Sequence, residues 1–148
     1  MDENTSNGIA VVEQNAVLKD IRTWLKANVN FLKDKKVTVA SLDLTENNVT
    51  IVPLKGVRKR RQYACGGYQV YFPFAIYYRT SVHGTSDIEG VYDSMDSIGV
   101  ALDSANLRAV LSGDREADSF YQDTTTVLLA RKGAVTDFMA TFVIIYSA

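Results

Sequence analysis

The sequence predicts an α+β fold: a mostly antiparallel, twisted sheet of four to five strands with two main helices packed on one face. Three observations carry this expectation. Apolar residues recur at three- and four-residue steps in two separated segments, about 9–32 and 86–102. Period-two alternation or β-branched and aromatic enrichment marks 37–42, 49–53, 68–79, 124–131 and 137–146. The resulting order of helix, hairpin, long strand, helix and hairpin places helices on one face of a largely antiparallel sheet.

Taken in order, Met1 to Gly8 form a polar, acidic leader, and 9–148 read as one domain. The first helix carries Val11, Leu18, Ile21, Leu25, Val29 and Leu32 on one stripe, widened by Trp24, with Asn7 or Asn15 as capping residues. Lys19, Arg22, Lys26 and Lys33 share another of its faces. Val37 to Leu42 and Val49 to Pro53 read as a hairpin around Glu46-Asn47-Asn48. Leu54 to Gly67 is a long connection, part of which extends the neighbouring strands as a protruding hairpin. Tyr68 to Arg79 is the clearest strand. Aromatics lie on both of its faces, so both are expected to be covered. Pro73 in its middle argues for an edge or a bulge.

Ser86 followed by Glu89 has the order of a capping box and starts the second helix. Its apolar stripe is Ile88, Val91, Tyr92, Met95, Ile98 and Leu102. Glu89, Asp93, Asp96 and Asp103 form an acidic stripe, and Gly90, Ser94, Ser97 and Ala101 a stripe of small residues. The two closing strands meet at a turn near Lys132-Gly133-Ala134.

Composition excludes several classes. A chain of 148 residues buries roughly 68–70% of its unfolded surface and supports a core without staples. No apolar run reaches the roughly 18 residues of a membrane-spanning helix. The leader is too polar for a signal peptide. One cysteine, Cys65, allows no internal disulfide, and with one histidine, His83, no Cys₂His₂ or Cys₄ zinc site is possible.

No motif supports an enzyme. Cys65 and His83 flank the long strand, which would separate them by tens of ångströms at about 3.3 Å per residue. Ser81, His83, Ser86 and Asp87 contain the letters of a serine triad but lack a nucleophile elbow. The glycines match neither a phosphate loop nor a dinucleotide fingerprint. No cofactor or metal is expected.

Charge is balanced overall but not along the chain. Residues 1–61 hold eleven Lys or Arg against seven Asp or Glu, a net of +4. Residues 62–148 hold five against ten, a net of −5. Within the first part stands the run Arg58-Lys59-Arg60-Arg61. It reads as a solvated loop, as a nucleic-acid patch with nearby Tyr63 and Tyr68, or as an arm meeting an acidic surface on an identical neighbour. The basic stripe of the first helix and the acidic stripe of the second share one spacing, so they complement each other if they meet, within or between subunits.

Several segments together carry a family resemblance. Ile-Arg-Thr-Trp-Leu-Lys at 21–26 leads to Leu-Lys-Asp-Lys-Lys-Val at 32–37. Val-Pro-Leu at 52–54 is followed by Arg-Arg-Gln-Tyr at 60–63 and Tyr-Gln-Val-Tyr-Phe-Pro-Phe at 68–74. In this order, over about 9–147, the chain resembles the tail terminator proteins of tailed bacteriophages, also called tail completion or minor capsid proteins. The resemblance implies a non-enzymatic virion protein, assembled in the host cytoplasm and located at the head–tail junction. It implies a hexameric ring on the head-proximal end of the tail tube. That ring would stop tube polymerisation and join the tail to head-completion (stopper) proteins, with DNA passing through its lumen. The partners implied are copies of itself, the tail tube protein and the stopper; no membrane is involved. The residues expected at subunit or tube interfaces are Arg58, Lys59, Arg60, Arg61, Lys19, Arg22 and Lys26. Glu89, Asp93, Asp96 and Asp103 are expected at an inter-subunit surface or along the lumen. Another head–tail connector, or a small nucleic-acid-binding module using 58–61, is the alternative.

Overall fold

The first helix, α1 (Val11–Asn28), buries Val17, Leu18, Ile21, Trp24 and Leu25, all at helical spacing. We describe it from a computed structural model that covers residues 8–39 and 47–148. Most of the polar leader, with Asn7, and residues 40–46, with the end of the first expected strand and Glu46, lie outside the described residues. The apolar stripe starts later than expected, because Val11 is 69% exposed. A separate 3₁₀ turn, Asn30–Leu32, carries Leu32 into the core. No side chain caps α1: its N-cap is Ala10, not Asn15.

The strands are β1 (Val37–Val39), β2 (Val49–Pro53), β3 (Arg58–Gln62), β4 (Tyr68–Ser81), β5 (Glu116–Lys132) and β6 (Val135–Ser147). The second helix, α2 (Thr85–Asp103), joins β4 to the closing hairpin. The sheet therefore has six strands, one more than the upper expectation, in the order β1-β2-β4-β6-β5 with β3 also on β4. All pairings but one are antiparallel.

The exception corrects the expected first hairpin. β1 and β2 are parallel, and β2 forms its antiparallel ladder with the second half of β4. Asn47 anchors the start of β2. It adopts a left-handed φ of 66°, its N–H donates to Arg79 O at 2.6 Å, and its side chain accepts from Thr80 Oγ1 at 3.0 Å. The chain is thus tied to the end of β4 just before β2 begins.

Pro73 corrects a second expectation, since β4 is central. β3 pairs with Arg58↔Tyr71 through Gln62↔Tyr68, and β2 with Val49↔Tyr78 through Pro53↔Phe74. Pro73 sits in the gap between them. Its carbonyl accepts from Leu54 N at 2.9 Å on that side. A strand residue's N–H and C=O point to the same edge, so the missing N–H also faces the gap, not the β6 ladder.

Alternation along β4 places Val70, Phe72, Phe74, Ile76 and Tyr78 in one cluster with α1, α2, Phe120 and Phe142. Phe74 stacks on Phe142 at 5.7 Å and meets Phe120 at 5.9 Å, and Phe120 meets Trp24 at 5.6 Å. α2 contributes Met95, Ile98 and Leu102, and Tyr92 stands edge-on to Phe138. Both helices lie on this face, α1 over β1 and β2 and α2 over β5. On the opposite face, no helix among the described residues covers Tyr71 and Tyr77. Ala75 and Val143 are nonetheless buried there, and Arg79 forms a bidentate pair with Asp137 at 2.6 and 2.8 Å.

The expected capping box does not form. α2 begins at Thr85 after Gly84, without a side-chain cap. Asp87 instead turns back and accepts from His83 N at 2.8 Å. The close approach expected along Gly90, Ser94, Ser97 and Ala101 occurs at Gly99, against the side chain of Gln122.

Gly67 closes the turn between β3 and β4 at φ 83°, and a Cβ there would lie 2.6 Å from the carbonyl oxygen of Ala148. Gly66 has a similar φ but open space around it. Left-handed backbone costs a non-glycine residue about 1–3 kcal/mol. Gly67→Ala is therefore expected to destabilise by about 2–3 kcal/mol, more than Gly66→Ala, in urea denaturation.

Candidate assembly interface

The basic run is a strand. Arg58-Lys59-Arg60-Arg61 lies in β3, and its alternation places cations on both faces of the sheet. The Arg58 guanidinium stacks 4.5 Å over the Tyr71 ring and donates to Gly56 O at 2.9 Å. Lys59 Nζ stands 4.6 Å over Tyr68 on the helix-bearing face. Arg60 falls at a register shift and Arg61 pairs with Gln69; both are exposed. The tyrosine faces that would stack nucleic-acid bases are thus occupied by the strand's own cations. Tyr63 is also engaged, its hydroxyl 3.1 Å from Ser147 Oγ.

The hairpin expected within 54–67 is present as β3 paired with β4, but its bounds could not be read from the sequence because a run of cations has no hydrophobic period. The signal that marks it is the alternation Arg58, Lys59, Arg61 opposite Tyr71, Val70 and Gln69, closed by Gly66-Gly67.

The helix stripes do not meet within the chain. Among the described residues, none of Lys19, Arg22 and Lys26 forms an ion pair with Glu89, Asp93, Asp96 or Asp103. Lys19 is exposed and Arg22 half-buried, while Lys26 Nζ donates to Lys35 O at 2.6 Å. The four acids of the α2 stripe are all exposed.

The placement of these groups is ordered. The basic stripe rides on α1, over the β1–β2 side of the sheet. The basic β3 borders the same side of β4. The acidic stripe rides on α2, over β5 at the opposite edge. β5 itself begins with Glu116, Asp118 and Asp123. The chain therefore has one basic edge and one acidic edge, and the sequence asymmetry becomes a left–right polarity across the sheet.

A polar network ties the β5 edge and α1 to the central strands β4 and β6. Asp118 Oδ2 accepts from Gln69 Nε2 at 3.0 Å and from Ser147 Oγ at 2.7 Å. Glu13 on α1 holds the adjacent end of the sheet, accepting from Tyr68 Oη at 2.7 Å and Tyr146 Oη at 2.5 Å. The hydrogen bond to Glu13, then burial, pushes the Tyr68 phenol up to about 12, and burial followed by the same bond raises Tyr146 further. As pH rises, an unfolded chain releases these protons first. The Tyr68 contribution is complete below about pH 10 and is lost between about 10 and 12, while that of Tyr146 is still being lost above that window. Thermal melts from pH 9 to 12 are expected to show that loss, and Tyr68→Phe with Tyr146→Phe to flatten it.

Cys65 and His83 stay apart. Both are exposed, in loops at opposite ends of β4, a strand roughly 45 Å long at the usual rise. Among the described residues, no group of three or more His, Cys, Asp or Glu side chains is placed to hold a metal ion. No helix among them is long and apolar enough to cross a membrane.

No protein-family model matches the chain, and comparison with curated proteins returns no match.

Proposed function

We propose that this chain is a non-enzymatic structural protein that associates head to tail with copies of itself into a closed ring, in the manner of phage tail terminators. The observation that carries this reading is the segregation of charge to opposite edges of one sheet. A surface whose complement lies elsewhere on the same molecule makes a heterologous contact, and heterologous contacts that close give rings. Each exposed ion pair contributes only about 0–1 kcal/mol, so the charges act chiefly on register and partner choice. In this reading the ring caps the head-proximal end of a tail tube, stops its growth, receives the head-completion protein and lets DNA pass. Partner choice beyond the self-contact rests on the segment resemblance at 21–26, 60–63 and 68–74.

Replacing Arg58, Lys59, Arg60 and Arg61 together with alanine tests the reading against a nucleic-acid-binding module. Loss of ring formation and overlong tails in an assembly reaction, with DNA retention unchanged, are expected. Intact assembly with loss of steeply salt-dependent DNA binding would contradict it.

A further inference from the structure

We infer that the ring interface is a strand addition: β5 of one copy pairs antiparallel with β3 of the next, so that the sheet continues across the subunit boundary. The inference rests on the self-assembly reading above and names the elements that make the contact.

Both strands are free on one side among the described residues. β3 pairs only with β4, and β5 only with β6. An edge strand carries unpaired N–H and C=O groups and is a template for another strand. β5 is 17 residues long and exposes Tyr121, Val127, Leu128 and Leu129 at 37–48%. Its segment 124–130, Thr-Thr-Thr-Val-Leu-Leu-Ala, has no charge. A soluble chain ordinarily guards such an edge with charge or proline. Among the described residues, the buried side-chain atom without a hydrogen-bond partner, Thr126 Oγ1, lies in this same strand.

Strand direction fits. β3 is antiparallel to β4, β4 to β6, and β6 to β5, so β3 and β5 run in opposite senses. A copy placed beside another in the same orientation therefore brings β5 against β3 antiparallel, without inversion. The levels fit as well. One row of the sheet runs Arg61, Gln69, Ser147, Glu116, and another runs Arg58, Tyr71, Ile145, Ser119. In a flush arrangement Arg61 of one copy lies beside Glu116 of the next, and Arg58 beside Ser119. The same placement brings α2, with its acids, toward α1 of the neighbour, with its cations. Farther along, Val127 and Leu128 stand at the level of Thr38 and Val37 of β1, through Met139, Tyr77 and Thr50 and through Phe138, Tyr78 and Val49. β1 stands one strand farther out than β3, a step of about 4.8 Å. The register shifts of β5 between Gln122 and Val127 fall at that step, where a bulged strand bends.

The test is pairwise disulfide formation in the full chain carrying Cys65→Ser, which removes the native thiol. One preparation adds Arg61→Cys and another Glu116→Cys; Arg58→Cys and Ser119→Cys form a second pair. Directly opposed strand residues lie within disulfide reach. Mild oxidation is expected to give a cross-linked dimer in each mixture, and little in any single preparation. Arg61→Cys mixed with Val100→Cys, which lies on an exposed face of α2, should give none. Dimers in single preparations as readily as in the mixtures would overturn the proposal in favour of a symmetric contact. No cross-link in either mixture, with assemblies still present by light scattering, would overturn the strand pairing while leaving self-assembly standing. A Cys65→Ser parent that shows no assembly would overturn both.

Discussion

Phe74→Ala is expected to destabilise the fold by about 3–5 kcal/mol, the usual cost of removing a fully buried aromatic ring. Phe74 is fully buried in the middle of β4, between Phe120 and Phe142, and Phe120 links it to Trp24 of α1. Truncation leaves a void bordered by rings fixed on two other strands, β5 and β6, neither of which can collapse without moving its strand. The loss is a large part of the roughly 5–15 kcal/mol by which domains are stable. Urea denaturation with unchanged slope checks it. Phe74→Leu keeps much of the volume and should cost less than half as much. Equal effects would show that the site repacks.

Arg60→Glu with Arg61→Glu is expected to abolish self-assembly while leaving the folded subunit almost unchanged. Both side chains are exposed, and neither makes a hydrogen bond or ion pair among the described residues. Surface changes of this kind ordinarily shift stability by no more than about 0.5 kcal/mol. Arg58 and Lys59 are left in place because they stack on Tyr71 and Tyr68. Reversal sets like charge against Glu116 of the next copy, which lies level with Arg61, and this costs more than loss of attraction. Glu116→Lys in the same chain should restore part of the assembly. Sedimentation velocity reads both steps, and assembly that ignores the reversal would remove β3 from the interface.

Much of the fold is legible in the sequence because its apolar residues repeat with clean periods. The stripes of α1 and α2, the alternation of β4 and the strands at 124–131 and 137–146 follow from 3.6- and two-residue spacing, but β5 begins earlier, at Glu116, in a stretch whose polar residues hide the strand. What periodicity does not carry is the pairing partner. Val37 to Val39 and Val49 to Pro53 look the same whether they pair parallel or antiparallel. The placement of β2 rests on long-range contacts such as those of Asn47, whose bonds to Arg79 and Thr80 act across a long stretch of chain. Pro73 was ambiguous for a related reason: its tolerance in a central strand depends on where β3 stops and β2 starts. Ser86 has the residues of a cap without its geometry, because Asp87 reaches back to His83.

The candidate interface was legible in part. The two charged helix stripes and the basic run stand out in the sequence, and their complementarity is visible there. Their placement on opposite edges is not, since it follows from the order β3-β4-β6-β5. Glu116 and Asp123, which make the β5 edge acidic, escaped notice because they are scattered among β-forming residues rather than clustered.

The central claim is that the chain closes head to tail into a ring. The mass of the purified protein by light scattering, with negative-stain images of the same sample, tests it most directly. The account predicts closed rings of uniform size with an open centre wide enough for duplex DNA, dispersing as salt rises. A monomer at every concentration and salt, or a dimer with a two-fold axis and no open edge, would contradict it.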